Sequence, residues 1–117
     1  MTPFNETQPI FVQIRQRIAD MILSEQVRDG EALPSVRSIA ADLQVNPLTV
    51  SRAYDALVDL GVVESRRGMG MFVAAGARER LLAHERERFL ADEWPRLRAQ
   101  IKSLGLDLAT LLGDTGK

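Results

Sequence analysis

The chain has 117 residues, of which 45% are hydrophobic and 26% charged, and its formal net charge at pH 7 is -1. This length allows one modest core, or one core plus an appendage. The absence of cysteine excludes a disulfide scaffold and thiolate-bound zinc and fits a reducing cytoplasm. No apolar run approaches the roughly twenty residues that span a bilayer, and the N-terminus lacks a basic segment followed by an apolar core, so we expect a cytoplasmic protein without a membrane partner.

The first predicted element is a scaffold helix that begins near Pro9. Its apolar residues recur at helical spacing and form one stripe, Ile10, Ile14, Ile18, Met21 and Ile22. Ahead of it, we expect residues 1–8 to form a flexible arm. Residues 27–32 are predicted to form a polar loop with a turn at Asp29-Gly30, after which Leu33 returns to the core.

The second predicted helix follows Ser35, because a hydroxyl ahead of an apolar-periodic run can accept from the free amides of the opening turn. Its apolar face consists of Val36, Ile39, Ala40 and Leu43. Residues 44–46 interrupt the pattern and predict a tight turn.

A third helix is predicted from Pro47 to about Leu60. Asn46 supplies a short polar side chain at the N-cap, and proline suits the first helical position. The inward face consists of Val50, Ala53, Tyr54 and Leu57. Gly61 ends the helix. Two helices joined in this way form a helix-turn-helix, whose second helix can enter the DNA major groove.

The exposed start of this third helix is mostly polar. Its residues are Asn46, Leu48, Thr49, Ser51 and Arg52. Hydroxyl, amide and guanidinium groups at this end can contact base edges and phosphates. For an isolated helix, a solvated start with ordinary capping groups would be the favoured interpretation.

A predicted β-hairpin after Gly61 favours DNA binding instead. Val62-Val63 begins a β-rich run, residues 66–70 (RRGMG) supply the turn, and residues 71–73 return. A basic, glycine-containing tip beside a recognition helix is typical of a wing that lies over a groove or the phosphate backbone. The alternative for this stretch alone is a plain hairpin turn. A phosphate-binding enzyme loop is disfavoured because no helix follows it.

The charge balance argues against a strongly basic DNA-binding surface. Between Leu33 and Gly70, four arginines are matched by four carboxylates. Position matters more than the sum, because Asp55 and Asp59 lie away from the leading end of the third helix. A weakly basic monomer has modest nonspecific affinity, so two copies on one operator are expected.

Four motifs occur in order at consistent spacing: LPSVRSIA, VNPLTVSRAY, the run that ends at Gly61, and SRRGMGMFV. Together they resemble the winged-helix domain of the GntR family of bacterial transcriptional regulators, over about Ile10 to Val73. The resemblance implies that Arg37 contacts the DNA backbone. It further implies DNA contacts by Thr49, Ser51, Arg52, Arg67 and Gly68. Leu48 and Met71 stand where related members often have a polar residue and a threonine.

The one clear shift in composition, at Ala74-Ala75-Gly76, marks the predicted domain boundary. Residues 78–88 alternate arginine and glutamate, as is typical of a solvated helix. A leucine stripe then recurs at spacings of three and four: Leu90, Trp94, Leu97, Ile101, Leu104, Leu108 and Leu111. Pro95 kinks a helix or begins a new one, and Gly105 with Asp107 predicts a stop and a recapped short helix.

The leucine stripe has two interpretations. It could fold back to complete a monomeric core, or pair with a second copy. Pairing is favoured because a Leu-rich tail on so small a domain leaves apolar surface that a symmetric partner would cover. A short helical tail also resembles the YtrA-type branch of the family, which implies a homodimer. The tail is too short for the ligand-binding or aminotransferase domains of other branches, so no pyridoxal phosphate site is implied.

Catalytic chemistry finds little support. His84 is the only histidine, so neither a His-based metal site nor a Ser-His-Asp triad has its partners. Asp92-Glu93 is better explained as charge at a helix N-terminus than as a catalytic pair. Trp94 suits a core or dimer contact better than a ligand site. We therefore expect no enzyme, no cofactor and no metal.

The sequence thus predicts a mainly helical fold with a small β-hairpin: an arm at 1–8, a winged helix-turn-helix DNA-binding domain at 9–75 and a helical dimerisation region at 76–117. The predicted function is a repressor that binds a double-stranded, pseudo-palindromic operator as a homodimer, is linked to a transporter operon, and is open to control by a small-molecule effector. The expected DNA-binding residues are Ser35, Arg37, Asn46, Leu48, Thr49, Ser51, Arg52, Arg66, Arg67, Gly68 and Gly70. A winged-helix adaptor that binds another protein is the alternative.

Overall fold

The computed structural model describes residues 9–115, so the arm expected at 1–8 lies outside the described residues. The elements in chain order are helices α1 (Ile10–Leu23), α2 (Val36–Leu43) and α3 (Pro47–Asp59), strands β1 (Val63–Arg66) and β2 (Gly70–Val73), helix α4 (Ala77–Arg88), a π-helical segment (Phe89–Glu93), and helices α5 (Trp94–Ser103) and α6 (Leu108–Thr115). This order confirms the predicted winged helix-turn-helix followed by short helices.

Helix α3 is the centre of the first compact unit, because α1, α2 and β1 all pack against it. The predicted inward face of α3 is confirmed, since Val50, Ala53, Tyr54 and Leu57 are buried. In α1 the buried stripe runs from Ile14 to Ile22, whereas Ile10 in the first turn is 45% exposed. The apolar stripe predicted for α1 is therefore one turn shorter in the structure.

Both helix starts of the helix-turn-helix are fixed by short polar side chains, as predicted. The Ser35 hydroxyl accepts from the Ser38 amide at 3.0 Å, and the Asn46 side-chain oxygen accepts from the Leu48 amide at 2.8 Å. Each bond satisfies an amide that has no partner within its helix. Gly61 follows the end of α3 with a φ of +78°, a left-handed conformation that glycine adopts without strain.

Tyr54 connects α3 to the segment ahead of α2. Its ring is fully buried and its hydroxyl donates a hydrogen bond to the Pro34 carbonyl oxygen. The bond satisfies the one polar atom that the side chain takes out of water. Burial raises the pKa of the Tyr54 phenol, so the neutral form that can donate this bond is favoured.

The sheet contains one antiparallel hairpin, in which Val63 pairs with Val73, Glu64 with Phe72, and Arg66 with Gly70. A third extended segment, expected to be loop, lies beside β2. The Leu33 amide donates to the Met71 carbonyl at 2.8 Å, the Val73 amide donates to Glu31 at 3.0 Å, and Ala32 bridges to Phe72. The hairpin is thus tied to the chain that enters α2.

The compact unit ends at Leu82 and a second one begins at Ala83. The sequence placed this boundary after Ala75, but Ala77 and Leu81 are buried in the first core. The start of α4 therefore belongs to the first unit. Over 78–88 we expected a solvated helix with few apolar positions, and Leu81 is the one buried core residue within that range.

Short helices make up the second unit. Pro95 lies in the first turn of α5, directly after the π-helical segment. Gly105 has a φ of +71° after α5. Asp107 then caps α6, since it accepts from the Thr110 hydroxyl at 2.6 Å and amide at 3.3 Å. These bonds hold the pKa of the Asp107 carboxyl below its usual range. The predicted interruptions at Pro95 and Gly105 are confirmed.

Candidate nucleic-acid interface

The N-terminal half of α3 carries the candidate reading surface. Asn46, Leu48 and Arg52 are exposed, and Thr49 and Ser51 are partly exposed. Leu48, Arg52, Asp55 and Asp59 share one face, because residues three, four and seven apart on a helix lie in one row. The cation is near the N-terminal end and both carboxylates follow it. A polyanion is therefore attracted to the first turns of α3 and repelled by the last.

Helix α2 contributes a second cation beside this surface. Arg37 is exposed in the first turn of α2, next to the N-cap residue Ser35. The Ser35 hydroxyl oxygen accepts a hydrogen bond from the Ser38 amide, which leaves its O–H group as a donor. Ser35 caps α2, and both its O–H group and the Arg37 guanidinium can donate to a phosphate from this turn.

The wing turn is formed by Arg66 to Gly70. The Met69 amide donates to the Arg66 carbonyl at 2.8 Å, and Gly68 and Gly70 have φ values of +75° and +112°. Only glycine adopts such backbone angles readily, so the turn depends on both. Arg67 is exposed at this turn, and the apolar Met69 is 69% exposed.

The two wing arginines differ in their surroundings. Arg66 is held on the hairpin, where its Nε lies 2.8 Å from a carboxylate oxygen of Glu64 and its guanidinium carbon lies 4.1 Å from the centre of the Phe72 ring. Glu64 and Phe72 face each other across the two strands. One arginine thus braces the wing while Arg67 extends from it.

Three exposed guanidinium groups of the winged helix have no hydrogen bond or ion pair with any residue from 9 to 115. They belong to Arg37 on α2, Arg52 on α3 and Arg67 in the wing. An unpaired surface cation can exchange its counterions for phosphates without first breaking a protein contact. The sequence analysis identified all three arginines, but it did not predict that Arg66 contacts Glu64 and Phe72.

Met69 is the candidate contact that the sequence analysis missed. Its signal was an apolar residue between two glycines at a hairpin tip, a position where burial is not expected. Exposed apolar side chains on DNA-binding wings can enter a groove or wedge between bases.

The described part of the chain contains no group of three or more histidine, aspartate or glutamate side chains that could hold a metal.

The leucine stripe of the second unit is exposed. Leu90 and Leu104 are 62% and 64% exposed, Leu97 is also exposed, and Trp94 and Ile101 are partly covered. Neither the π-helical segment nor α5 has a buried residue. Among the helices described here, none is long and apolar enough to cross a bilayer.

The comparisons with known proteins agree with this geometry. Residues 11–73 match the model of "Bacterial regulatory proteins, gntR family". The chain is 33% identical to YhcF, an HTH-type transcriptional regulator of Bacillus subtilis, over 93% of this chain and 88% of that protein. It is 38% identical to the HTH-type transcriptional repressor YtrA of the same organism, over 63% of this chain and 57% of that protein.

A solved structure with the same fold contains DNA. The DNA-binding domain of AraR in complex with an operator has a TM-score of 0.57 and 25% identity to this chain, over 63% of this chain and 90% of that one. The family match covers the helix-turn-helix and the wing, and the similarity to YhcF extends through the tail. This chain therefore belongs to the GntR family of bacterial transcriptional regulators, among its YtrA-type members.

Proposed function

We propose that this chain represses transcription by binding a pseudo-palindromic operator as a homodimer. The observation that carries the proposal is the set of three unpaired guanidinium groups, Arg37, Arg52 and Arg67, on three elements of a winged helix. Each can neutralise a phosphate. The similarity to a repressor of Bacillus subtilis supports the sign of regulation.

In this proposal α3 enters the major groove with its N-terminal end leading. Thr49 and Ser51 supply hydroxyls that can donate to or accept from base edges or phosphates, and Arg52 supplies a charge-assisted donor. The wing lies over the flanking backbone, where Arg67 contacts phosphate. Asp55 and Asp59 keep the rest of α3 away from the DNA, which sets the angle of approach.

The homodimer follows from the small number of cations and from the exposed tail. Three phosphate contacts per copy give weak nonspecific binding, and two copies on one DNA double the number. The exposed apolar residues of the leucine stripe form a surface that a second copy would cover by symmetry. We place the self-association there.

The proposal is tested by selecting bound duplexes from a random pool with the purified full chain and measuring affinity over a range of salt concentrations. We expect enrichment of an inverted repeat, a steep fall of affinity with salt, and two protein copies per duplex. Enrichment of no sequence, together with capture of another protein through the wing, would favour the adaptor instead. The same binding assay is applied to DNA upstream of the chain's own gene and of neighbouring transporter genes. A small molecule that releases the chain from this DNA is identified as an effector.

A further inference from the structure

Leu48 is a large apolar side chain in an otherwise polar surface. It is 58% exposed in the first turn of α3, a helix that lies wholly within the described residues, and the other large apolar residues of α3 are buried or partly buried. We propose that Leu48 is a specificity-determining residue that reads the 5-methyl group of a thymine in the major groove. This inference rests on the proposed DNA binding and adds the base that one position of the site requires.

The backbone of Leu48 is fixed before DNA binds. Its amide donates to the Asn46 side-chain oxygen at 2.8 Å. The residue before it, Pro47, has its backbone φ fixed by the proline ring. Long side chains of helical residues point back toward the helix N-terminus, so Leu48 extends toward the leading end of α3. A contact from a fixed helical turn has less conformational entropy to lose than one from a loop.

The chemistry of the base edges selects thymine. Guanine, cytosine and adenine present hydrogen-bonding groups to the major groove, whereas thymine also presents a methyl group. Leucine has no donor or acceptor, so contact with any of the other three bases would remove water from a polar group without replacing its hydrogen bond. Contact with the methyl group removes apolar surface from water on both sides.

The extent of the apolar surface fits a methyl group better than a protein partner. On the exposed face of α3, Leu48 is followed by Arg52 and then by Asp55, with no second exposed leucine, isoleucine or valine beside it. A protein-docking patch requires several hundred square ångströms of contiguous apolar surface. A single leucine flanked by Thr49 and Arg52 can cover one methyl group while its neighbours reach polar groups of the DNA.

The experiment removes the methyl group from the DNA and the side chain from the protein in turn. Each thymine of the duplex selected by the full chain is replaced by deoxyuridine, which lacks only the 5-methyl group. We expect one thymine per half-site at which the replacement weakens binding by about fourfold, the factor that burial of one methyl group provides. In Leu48→Ala the same replacement is expected to have no effect.

Phe11→Ala is the control, since Phe11 is an exposed apolar residue on α1 that lies outside the candidate interface. It should keep the full sensitivity to deoxyuridine at that thymine. If every deoxyuridine effect is equal in the native protein and in Leu48→Ala, or none exists, the inference is wrong although DNA binding stands. If no duplex is enriched at all, the proposed function is wrong and this inference falls with it.

Discussion

The guanidinium of Arg80, in the first turn of α4, donates a hydrogen bond to the carbonyl oxygen of Gly61, the glycine that ends the recognition helix. Two residues earlier, Arg78 donates to the Leu23 carbonyl at 2.9 Å, at the end of α1. Both acceptors lie at helix C-termini, where carbonyl groups lack helical partners and a positive charge is favourable. The start of α4 therefore caps two helices of the winged domain.

We expect Arg80→Ala to lower the free energy of unfolding by about 0.5–1 kcal/mol, the range for a charge-assisted bond discounted for its exposure to solvent. Urea unfolding at one fixed protein concentration measures this. Arg86→Ala is the control, since Arg86 is exposed on the same helix and has no hydrogen bond or ion pair with another described residue. Equal midpoints for the two variants would show that the cap contributes no stability.

Arg52→Ala should weaken operator binding and reduce the slope of log affinity against log salt by about 0.9, because one phosphate contact is lost. Its free energy of unfolding should not change, since Arg52 is exposed and unpaired among the described residues. Asp55→Asn, one turn further along the same face, should act in the opposite direction and tighten binding. An unchanged salt slope in Arg52→Ala would remove Arg52 from the interface.

The two wing arginines are expected to separate stability from binding. Arg66→Ala breaks the contacts with Glu64 and Phe72 and should lower the free energy of unfolding by about 0.5–1 kcal/mol. Arg67→Ala should leave stability unchanged and reduce the salt slope of DNA binding. A double-mutant cycle between Arg66 and Phe72 measures their coupling, with Arg67 and Phe72 as the uncoupled pair. Coupling of the same size in both cycles would contradict the bracing role.

The sequence predicted the helices because their signals are local. Ser35 and Asn46 mark helix starts within two or three residues of the amides they cap, and Gly61 marks an end by its own backbone freedom. The pairing of Ala32 with Phe72 has no such signal, because the two residues are far apart in sequence and meet only when the core forms. Local chemistry thus predicts elements more readily than their long-range partners.

The candidate site shows the same division. That Arg37, Arg52 and Arg67 lie on exposed positions could be read from helical and strand spacing. The different role of Arg66 depends on the register that places Glu64 opposite Phe72, and one residue of slippage between the strands would put these two side chains on opposite faces. The burial of Leu81 was equally hidden, because arginine and glutamate surround it and the amphipathic signal of α4 is weak.

Tyr54 predicts a loss of stability at alkaline pH. Burial raises its pKa above the ordinary value of 10.0, so above about pH 10 the unfolded chain loses the phenolic proton while the folded chain keeps it. The free energy of unfolding that this difference in pKa provides is fully present below pH 10. Above pH 10 it decreases by about 1.4 kcal/mol per pH unit, until the folded phenol also ionises. Because Tyr54 is the only tyrosine, tyrosinate absorbance reports its ionisation directly.

Tyr54→Phe is the control for this pH dependence. It keeps the ring and removes the hydrogen bond to Pro34, so it should cost about 1 kcal/mol at neutral pH and flatten the stability profile above pH 10. Tyrosinate absorbance in the native protein should rise together with the loss of helical circular dichroism. Ionisation of the phenol near pH 10 with the fold intact would contradict the prediction.

The leucine stripe predicts that self-association depends on Leu97 in α5 and on Leu104, the residue that caps its C-terminal end seven residues later. Replacing both with glutamate places carboxylates on a surface that the proposed dimer buries, which costs free energy unless they find partners. We expect the dimer dissociation constant, measured by sedimentation velocity, to rise by roughly a hundredfold, equivalent to about 2.7 kcal/mol. Ala99→Glu, exposed on α5 but off the stripe, should sediment like the native chain.

The DNA-binding consequence distinguishes a lost dimer from a damaged fold. The double variant should keep the native urea midpoint of the winged domain, because neither leucine belongs to the core that contains Tyr54. Its affinity for one half-site should match that of the native chain, whereas its affinity for the full inverted repeat should fall, since the second half-site is no longer bound by a linked copy. A double variant that still sediments as a dimer would move the interface away from the stripe. A native chain that is monomeric both free and on the full repeat would exclude the homodimer altogether.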